Sequence, residues 1–288
     1  MIDLHSHTNQ SDGTLSPAQL IEEAVQCGIR VLAISDHDTF AGYDQAVGLT
    51  PPSLELVCGI ELSSKLNGRS VHLLGYFPGG DGIEGFRQWV LDLQVSRRDR
   101  NIRLAARLRE LGFDITLEEA EALGRGMTGR PHFARLMVDK GYVSNFRQAF
   151  DDYLDESATA YVYRHEPDLA EAAERIRWAG GVASLAHPIR VNADLAELLP
   201  SLCARGLNAI EAYHTDHSAA DTAVYLGLAR RFGLLVTGGS DFHGAVKPGV
   251  RLGTGINGNL HVPAEVMEGL RTAWAASVNA TAKKNRAT

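Results

Sequence analysis

The sequence lacks the features that mark membrane, secreted and nucleic-acid-coating proteins. No apolar run approaches the roughly 20 residues that a helix needs to cross a bilayer, and the N-terminus has no signal-peptide pattern. The three cysteines, Cys27, Cys58 and Cys203, are odd in number and show no Cys-x-x-Cys spacing, so they indicate a reduced, cytoplasmic protein. The formal net charge of −7 argues against a protein that coats nucleic acid. No obligate protein partner is evident.

Apolar runs of strand length alternate with helical patterns through most of the chain. The predicted strands are residues 2–4, 31–35, 54–60, 71–76, 182–186, 209–212 and 234–237. Strands that alternate with helices predict an α/β fold with a parallel sheet, either open or closed into a barrel.

Residues 81–163 interrupt this alternation. No convincing strand pattern occurs there, whereas Leu104, Leu108 and Leu111 share one helical face that ends at Gly112. We therefore predict two parts: a metal-binding barrel built from residues 1–80 and 164–288, and a helical insertion, or cap, built from residues 81–163.

Almost every predicted strand carries His, Asp or Glu at or near its end. These residues are His5, His7, Asp12, Asp36, His37, Glu61, His72, His187, His214, Asp241 and His243. In a closed barrel the carboxyl ends of the strands meet at one mouth, so we expect these side chains to lie together. Mixed imidazole and carboxylate sets suit Mn, Fe or Zn, and the lack of cysteine in the set argues against a structural zinc site. More than four ligands indicates more than one ion.

The same residues lie in motifs that resemble a known family. The series LHSHTNQSDG, ISDHDTFAG, GIE, the strand with His72, LAHP and GSDFH is similar to the PHP (polymerase and histidinol phosphatase) superfamily. The stretch GRPHFAR at residues 129–135 resembles its branch of 3′,5′-nucleoside bisphosphate phosphatases. The resemblance covers nearly the whole chain. It implies a distorted seven-stranded (β/α) barrel of PHP type that holds three divalent ions.

The resemblance also implies which residues would bind each ion. His5, His7, Glu61 and Asp241 would bind the first, Glu61 as a bridge with His72 and His187 the second, and Asp12, His37 and His243 the third. Many PHP proteins have His where this chain has Asp12, and the added negative charge favours Mn or Mg. Mn²⁺ is the expected ion, with Mg²⁺, Fe²⁺ and Zn²⁺ as alternatives. Three such ions outweigh the three carboxylates, so the site would attract phosphate.

The activity implied by the resemblance is that of a phosphoric monoester hydrolase. It would remove the 3′-phosphate from nucleoside 3′,5′-bisphosphates, such as adenosine 3′,5′-bisphosphate, by attack of a metal-activated hydroxide on phosphorus. Arg130 and Arg135 would hold the phosphate that does not react, with His132 as a further donor. Asp36 and His214 are candidate catalytic residues, although Asp36 suits the orientation of a histidine equally well and His214 could equally be a hydrogen-bonded histidine at the end of a strand.

Other functions remain open. The same site could trim short single-stranded RNA from 5′ to 3′, and the arginines between residues 97 and 109 could then follow the RNA backbone. Such a run is more often the solvated face of a helix. A histidinol-phosphate-type phosphatase, an amidohydrolase and a metal-binding module without turnover are further alternatives. The expected partner is a small phosphorylated nucleotide. Asp38 is predicted to be a turn or cap residue, and His165, His217 and His261 are predicted to lie at the surface or at helix ends.

Overall fold

A seven-stranded sheet, with its strands in sequence order, forms the centre of the molecule. The computed structural model describes residues 1–124 and 127–286, with side chains described through residue 277. The strands are β1 (Ile2–Asp3), β2 (Val31–Ile34), β3 (Glu55–Leu66), β4 (Arg69–Phe77), β5 (Val182–Leu185), β6 (Ala209–His214) and β7 (Leu235–Gly239). A hydrogen bond from Leu4 N to Gly238 O (3.1 Å) links the two outer strands, so the sheet is a nearly closed barrel.

The prediction of an all-parallel sheet is wrong at β4, which runs antiparallel to both β3 and β5. Asn67 and Gly68, with φ angles of 50° and 81°, form a two-residue turn that reverses the chain after β3. Because this hairpin supplies a partner strand, β3 continues to Leu66 instead of ending at Glu61. The reversal brings His72, near the start of β4, to the mouth where the parallel strands end.

Helices surround the sheet and fill the insertion. In the described residues they are α1 (Pro17–Gln26), α2 (Ala41–Ala46), α3 (Glu84–Glu110), α4 (Leu117–Gly124), α5 (Arg130–Asp139), α6 (Phe146–Ala149), α7 (Leu169–Trp178), α8 (Leu195–Ala204), α9 (Ala219–Phe232) and α10 (Glu265–Arg286). A two-stranded ribbon, β8 (Val250–Arg251) and β9 (Gly255–Ile256), precedes α10. None of the described helices is both long and apolar enough to span a membrane.

Alternate residues of the strands face two hydrophobic layers. Leu32 of β2 joins the layer under the surrounding helices, whereas Val31 joins the layer that packs on α10. The second layer includes the first residues of β2, β5 and β6, so α10 covers the end of the barrel opposite the carboxyl ends. The indole of Trp274 in α10 donates a hydrogen bond to Tyr76 O (3.1 Å) and fixes this cover. The carboxyl ends are thereby left for polar residues.

The insertion is helical, as the spacing of its leucines predicts. Helix α3 ends at Glu110, and Gly112 follows it in the left-handed region (φ 89°). Leu104 packs with Phe133 of α5 in a third hydrophobic cluster, whereas Phe86 in the first half of α3 packs against Phe77 of the barrel (5.3 Å between ring centroids). We propose that residues 81–163 act as a cap that is joined to the barrel through α3.

Candidate active site

All nine predicted metal ligands lie in one cluster at the mouth of the barrel. Their ligand atoms approach within 4.8 Å in overlapping sets: His5, His7, Glu61 and Asp241; His7, Asp12, His37 and His243; and His37, Glu61 and His72. His187 joins through a contact of 2.9 Å between its Nε2 and Glu61 Oε1. The first set equals the group that the resemblance implies for the first ion, and the second adds His7 to the group implied for the third.

Glu61 lies at the centre of this cluster. Its Oε2 is 3.2 Å from His5 Nε2, 3.1 Å from His7 Nε2 and 3.3 Å from His37 Nδ1. Its Oε1 faces two other rings, at 2.8 Å from His72 Nδ1 and 2.9 Å from His187 Nε2. The two oxygens therefore face two separate groups of imidazoles, which is the arrangement required of a carboxylate that bridges two metal ions.

Asp241 also divides its two oxygens between different surroundings. Oδ1 lies 3.4 Å from His7 Nε2, on the side of the histidines. Oδ2 accepts a hydrogen bond from Lys247 Nζ (2.6 Å) and lies 3.4 Å from the guanidinium of Arg190. Both cations line the cavity above the cluster. The sequence analysis missed them because neither follows a predicted strand directly.

The backbone at the mouth takes conformations that ordinary residues rarely adopt. His187 and Asp241 have φ angles of 26° and 55°, in the left-handed region. Such conformations persist only where the surroundings impose them, and they concentrate at functional sites. Gly239, at the end of β7, is required for a different reason: a Cβ at this position would collide with the backbone nitrogen of His5. The close approach of these strands brings His5 beside Asp241.

Two of the histidines are held in their neutral form. Burial lowers the pKa of His37 to about 3 and that of His187 to about 4. An uncharged imidazole carries a free lone pair, which is the form that binds a metal ion.

His5 and His7 show the opposite balance. Burial disfavours charge on both rings, but nearby carboxylates outweigh it. Glu211, Glu61 and Asp241 raise the pKa of His5, and Asp241, Glu61 and Asp12 raise that of His7 to about 9. The carboxylates that favour a proton on these rings would equally stabilise a bound cation.

Several buried polar atoms of the cluster form no hydrogen bond with any residue in the described part of the chain. They are His5 Nε2, His7 Nε2, Glu61 Oε2, His72 Nδ1 and His214 Nε2. A buried polar atom without a partner costs about 1–3 kcal/mol, so such a group of atoms signals a bound ligand. Because nitrogen and carboxylate lone pairs converge here, the residues fit divalent cations of the Mn, Fe or Zn type.

Asp36 does not occupy the catalytic position predicted for it. Its carboxylate is fully buried, does not line the cavity, and accepts hydrogen bonds from Thr8 N (2.7 Å), Thr8 Oγ1 (2.6 Å) and Ser11 Oγ (2.5 Å). These bonds hold the loop between His7 and Asp12. Asp36 therefore shapes the ligand loop, which agrees better with the orienting role that the sequence left open than with the catalytic one.

Glu211 is a further residue of the site that the sequence analysis missed. It is fully buried, its Oε1 accepts a hydrogen bond from His5 Nδ1 (2.8 Å), and its Oε2 accepts one from His187 N (2.6 Å). A carboxylate on the far nitrogen of a histidine fixes the ring and makes it a better ligand. Glu211 lies within β6 instead of after it, so the pattern of polar residues that follow strands does not reveal it.

His214, the last residue of β6, contacts the cluster but does not line the cavity. Its Nδ1 accepts the backbone N–H of Asp216 (3.0 Å), and its Nε2 lies 3.6 Å from Asp241 Oδ2. It therefore contacts the cluster from outside the cavity, and of the two roles that the sequence left open, direct contact with substrate stays a prediction. His217 is buried, with its ring centroid 5.2 Å from that of His214, and it directly precedes the N-cap of α9, so it is a helix-end residue and not a surface one.

A cavity of about 360 Å³ runs from the cluster to the cap. Its cap end is lined by Arg97, Arg100, Arg130, His132, Phe146 and Phe150. Two of the three predicted substrate residues, Arg130 and His132, thus face the cavity. Arg135 does not: its exposed guanidinium pairs with Asp139 on the same helix (2.8 Å), so the cavity gives no support to the role in binding substrate that the sequence predicted.

The arginines of α3 divide into two groups. Arg97 is buried and forms an ion pair with Asp38, which also contacts Arg164 (3.3 Å). Asp38 is therefore buried and pairs with both Arg97 and Arg164. The sequence, which predicted a turn or cap residue, did not indicate these ion pairs. In contrast, Arg98 is exposed and pairs with Glu121 (2.9 Å). The prediction of a solvated helix face holds for Arg98 and is wrong for Arg97.

Arg100 differs from all of these because it has no partner of opposite charge among the residues that the structure describes. It is 5% exposed, and in the described part of the chain its guanidinium donates only to the Asn101 side chain (3.0 Å). Burial and the neighbouring arginines hold its pKa well below the usual range, with Glu166 acting weakly the other way. A buried cation in positive surroundings is unfavourable without an anion, so this end of the cavity is suited to bind one.

Known proteins resemble this chain in sequence and in fold. The model of the PHP domain matches residues 3–115. A 5′-3′ exoribonuclease from Haemophilus influenzae is 35% identical over 84% of this chain and 89% of its own length. A phosphoribosyl 1,2-cyclic phosphate 1,2-diphosphodiesterase from Eggerthella lenta is also 35% identical, over 84% and 94%. A 3′,5′-nucleoside bisphosphate phosphatase from Chromobacterium violaceum is 32% identical, over 84% and 87%.

The architecture agrees with these relatives. A solved structure assigned as a metal-dependent phosphoesterase from Bifidobacterium adolescentis superposes with a TM-score of 0.82 and 31% identity, over 94% of this chain and 96% of that one. The named relatives share ester bonds of phosphate as their substrates, although they differ in the molecule that carries the phosphate. The chain therefore belongs to the PHP family and is a hydrolytic phosphoesterase.

Proposed function

We propose that this phosphoesterase removes the 3′-phosphate from nucleoside 3′,5′-bisphosphates and leaves the 5′-nucleotide. The observation that carries the proposal is Arg100, a buried cation at the end of the cavity away from the metal-ligand cluster, for which the described part of the chain provides no carboxylate partner. A substrate with two phosphates would supply an anion to both ends at once. The relative from Chromobacterium violaceum that is named as such a phosphatase supports this choice.

The cap end of the cavity would hold the phosphate that does not react. Arg100 and Arg130 both line it, and a guanidinium can form two parallel hydrogen bonds to phosphate oxygens. Arg97 is fixed by Asp38 and adds positive charge beside them. Fixing one phosphate restricts the position of the other, which raises the rate by lowering the entropic part of the barrier.

The cluster end would hold the reacting phosphate. We propose that it binds divalent ions, up to three and most readily Mn²⁺, on the nine clustered ligands. When bound, these ions activate water and neutralise negative charge on the phosphate. The neutral rings of His37 and His187 offer their lone pairs, and Glu211 keeps His5 in position.

Lys247 and Arg190 complete the positive surroundings of the reacting phosphate. Both line the cavity beside Asp241, so a phosphate bound at the cluster would lie next to them. Cations already fixed at the place where negative charge develops stabilise a transition state without reorganisation.

Trimming of short RNA from its 5′ end is the second candidate. The relative from Haemophilus influenzae is named a 5′-3′ exoribonuclease. The first nucleotide of an RNA with a 5′-phosphate also carries phosphate groups at both its 5′ and its 3′ position. Its terminal phosphate would occupy the site of Arg100 and Arg130, and the phosphodiester at the 3′ position would reach the cluster. RNA trimming additionally requires that the part of the RNA beyond its first nucleotide can extend out of the cavity, whereas bisphosphate hydrolysis does not.

Phosphate release from adenosine 3′,5′-bisphosphate in Mn²⁺ tests the proposal. Adenosine 3′-monophosphate, AMP and a short 5′-phosphorylated RNA serve as comparisons, and the His7→Ala variant reports contaminating phosphatases. We expect the bisphosphate to be the best source of phosphate, with AMP as the only nucleotide product. Release of the 5′-phosphate instead, or mononucleotides from RNA without turnover of the bisphosphate, would refute the proposal.

A further inference from the structure

Two phenylalanines give one wall of the cavity an aromatic surface. Phe146 and Phe150 are four residues apart, which places them on the same side of successive helical turns, and both line the cavity at its cap end. Each ring packs on the cap core while remaining partly exposed, whereas Phe133 of the same cluster is completely buried. The exposed part of the pair is therefore presented to the contents of the cavity.

The aromatic pair is tied to the proposed phosphate anchor. Phe150 begins a π-helical turn that ends at Leu154, and the guanidinium of Arg130 donates a hydrogen bond to Leu154 O (3.2 Å). Arg130 thus connects the anchor directly to the segment that carries Phe150. In a nucleotide the 5′-phosphate and the base are attached to one ribose, so their binding sites must also be adjacent.

We propose that Phe146 and Phe150 form a stacking platform for the nucleobase of the substrate. This inference rests on the proposed function, since it assumes that the substrate is a nucleotide. Every base has a π-face that can stack on an aromatic ring. The cavity volume of about 360 Å³ lies in the range of small-ligand pockets.

The cavity offers little that could distinguish one base from another. Of the described residues that line it, none is Asn or Gln, the side chains that form paired hydrogen bonds with adenine. The hydroxyl of Ser70 already bonds to Glu156 (3.0 Å), and that of Ser63 bonds to Arg97 (2.8 Å). The platform should therefore accept every base, with a modest order of preference that follows the strength of stacking.

A matched pair of substrates tests the platform. Deoxyadenosine 3′,5′-bisphosphate is compared with the same bisphosphate on an abasic 1,2-dideoxyribose, because both carry the two phosphates and only one carries a base. Stacking predicts that the wild type prefers the base-bearing compound by about 5- to 150-fold in kcat/KM. Phe146→Leu and Phe150→Leu keep apolar packing and should lose most of this preference through KM, while turnover of the abasic compound stays the same.

Controls separate stacking from a structural role. Phe150→Trp should restore the preference, and Phe113→Leu, which alters an aromatic contact of the cap outside the cavity, should leave it unchanged. An unchanged preference in both leucine variants, or an equal loss on both substrates, would overturn the platform. If the wild type hydrolyses neither bisphosphate but trims RNA, the proposed function is refuted while the platform is not. The same variants are then compared on RNA with a normal or an abasic 5′-nucleotide, and an unchanged preference there would overturn the platform as well.

Discussion

Replacement of Arg100 by Met tests the physical argument on which the proposed function depends. Methionine keeps the apolar stem of the side chain and removes the guanidinium. Because that guanidinium is buried without a carboxylate partner and its pKa is depressed, its charge destabilises the folded protein when no anion is bound. The variant should therefore be more stable than the wild type and less active, a combination that ordinary damage to the fold cannot produce.

The structure sets the size of both effects. A hydrogen bond to a charged partner contributes about 1.5–3 kcal/mol, so kcat/KM for adenosine 3′,5′-bisphosphate should fall by about 10- to 150-fold. Hydrolysis of adenosine 3′-monophosphate should stay within about twofold, since this compound has no second phosphate for Arg100. Relief of the buried charge by about 1 kcal/mol or more should raise the Tm by about 2 °C or more.

The assay combines calorimetry of the free protein with phosphate release from both substrates. Arg98→Met is the matched control, because Arg98 lies on the same helix but is exposed and paired with Glu121. It should alter neither activity nor the Tm by a measurable amount. A lower Tm for the Arg100 variant, or equal losses on the two substrates, would show that Arg100 serves the fold and not a second phosphate.

Three further predictions follow from the site. Arg130→Ala should lower bisphosphate turnover at least tenfold relative to the monophosphate, whereas Arg135→Ala, outside the cavity, should leave phosphate release unchanged. Glu211→Gln removes the acceptor of His5 and should weaken Mn²⁺ binding by about 10- to 100-fold in titration calorimetry; unchanged affinity would contradict the orienting role. Asp38→Asn should reduce the free energy of unfolding by about 3 kcal/mol. Buried arginines hold the pKa of Asp38, against burial, below its unfolded value, so its stabilisation is present above about pH 4 and lost as acid protonates it; acid-unfolding curves of this variant that parallel the wild type would contradict this.

The sequence was most informative where the chemistry is local. Short apolar runs followed by His or Asp predicted both the β/α alternation and the residues that cluster at the mouth, because a strand end determines which residue is presented there. The leucine spacing on α3 likewise predicted its apolar face and its end near Gly112. The direction of β4 was also encoded locally, because an Asn-Gly pair such as Asn67-Gly68 is typical of the tight turn between two antiparallel strands. The sequence analysis did not predict this turn.

Other features depend on contacts between residues that are distant in sequence. Arg100 and Arg135 are both arginines on amphipathic helices, and only the packing of the cap on the barrel places one in the cavity and the other in solvent. Glu211 acquires its role from His5, which lies 206 residues away.

The amino-acid sequence alone determined the kind of site, because the types of ligand and their positions after strands define its chemistry. Tertiary structure alone decided which charges are buried without partners and which side chains share a cavity, because burial and the balance of charge arise only when separate segments pack together.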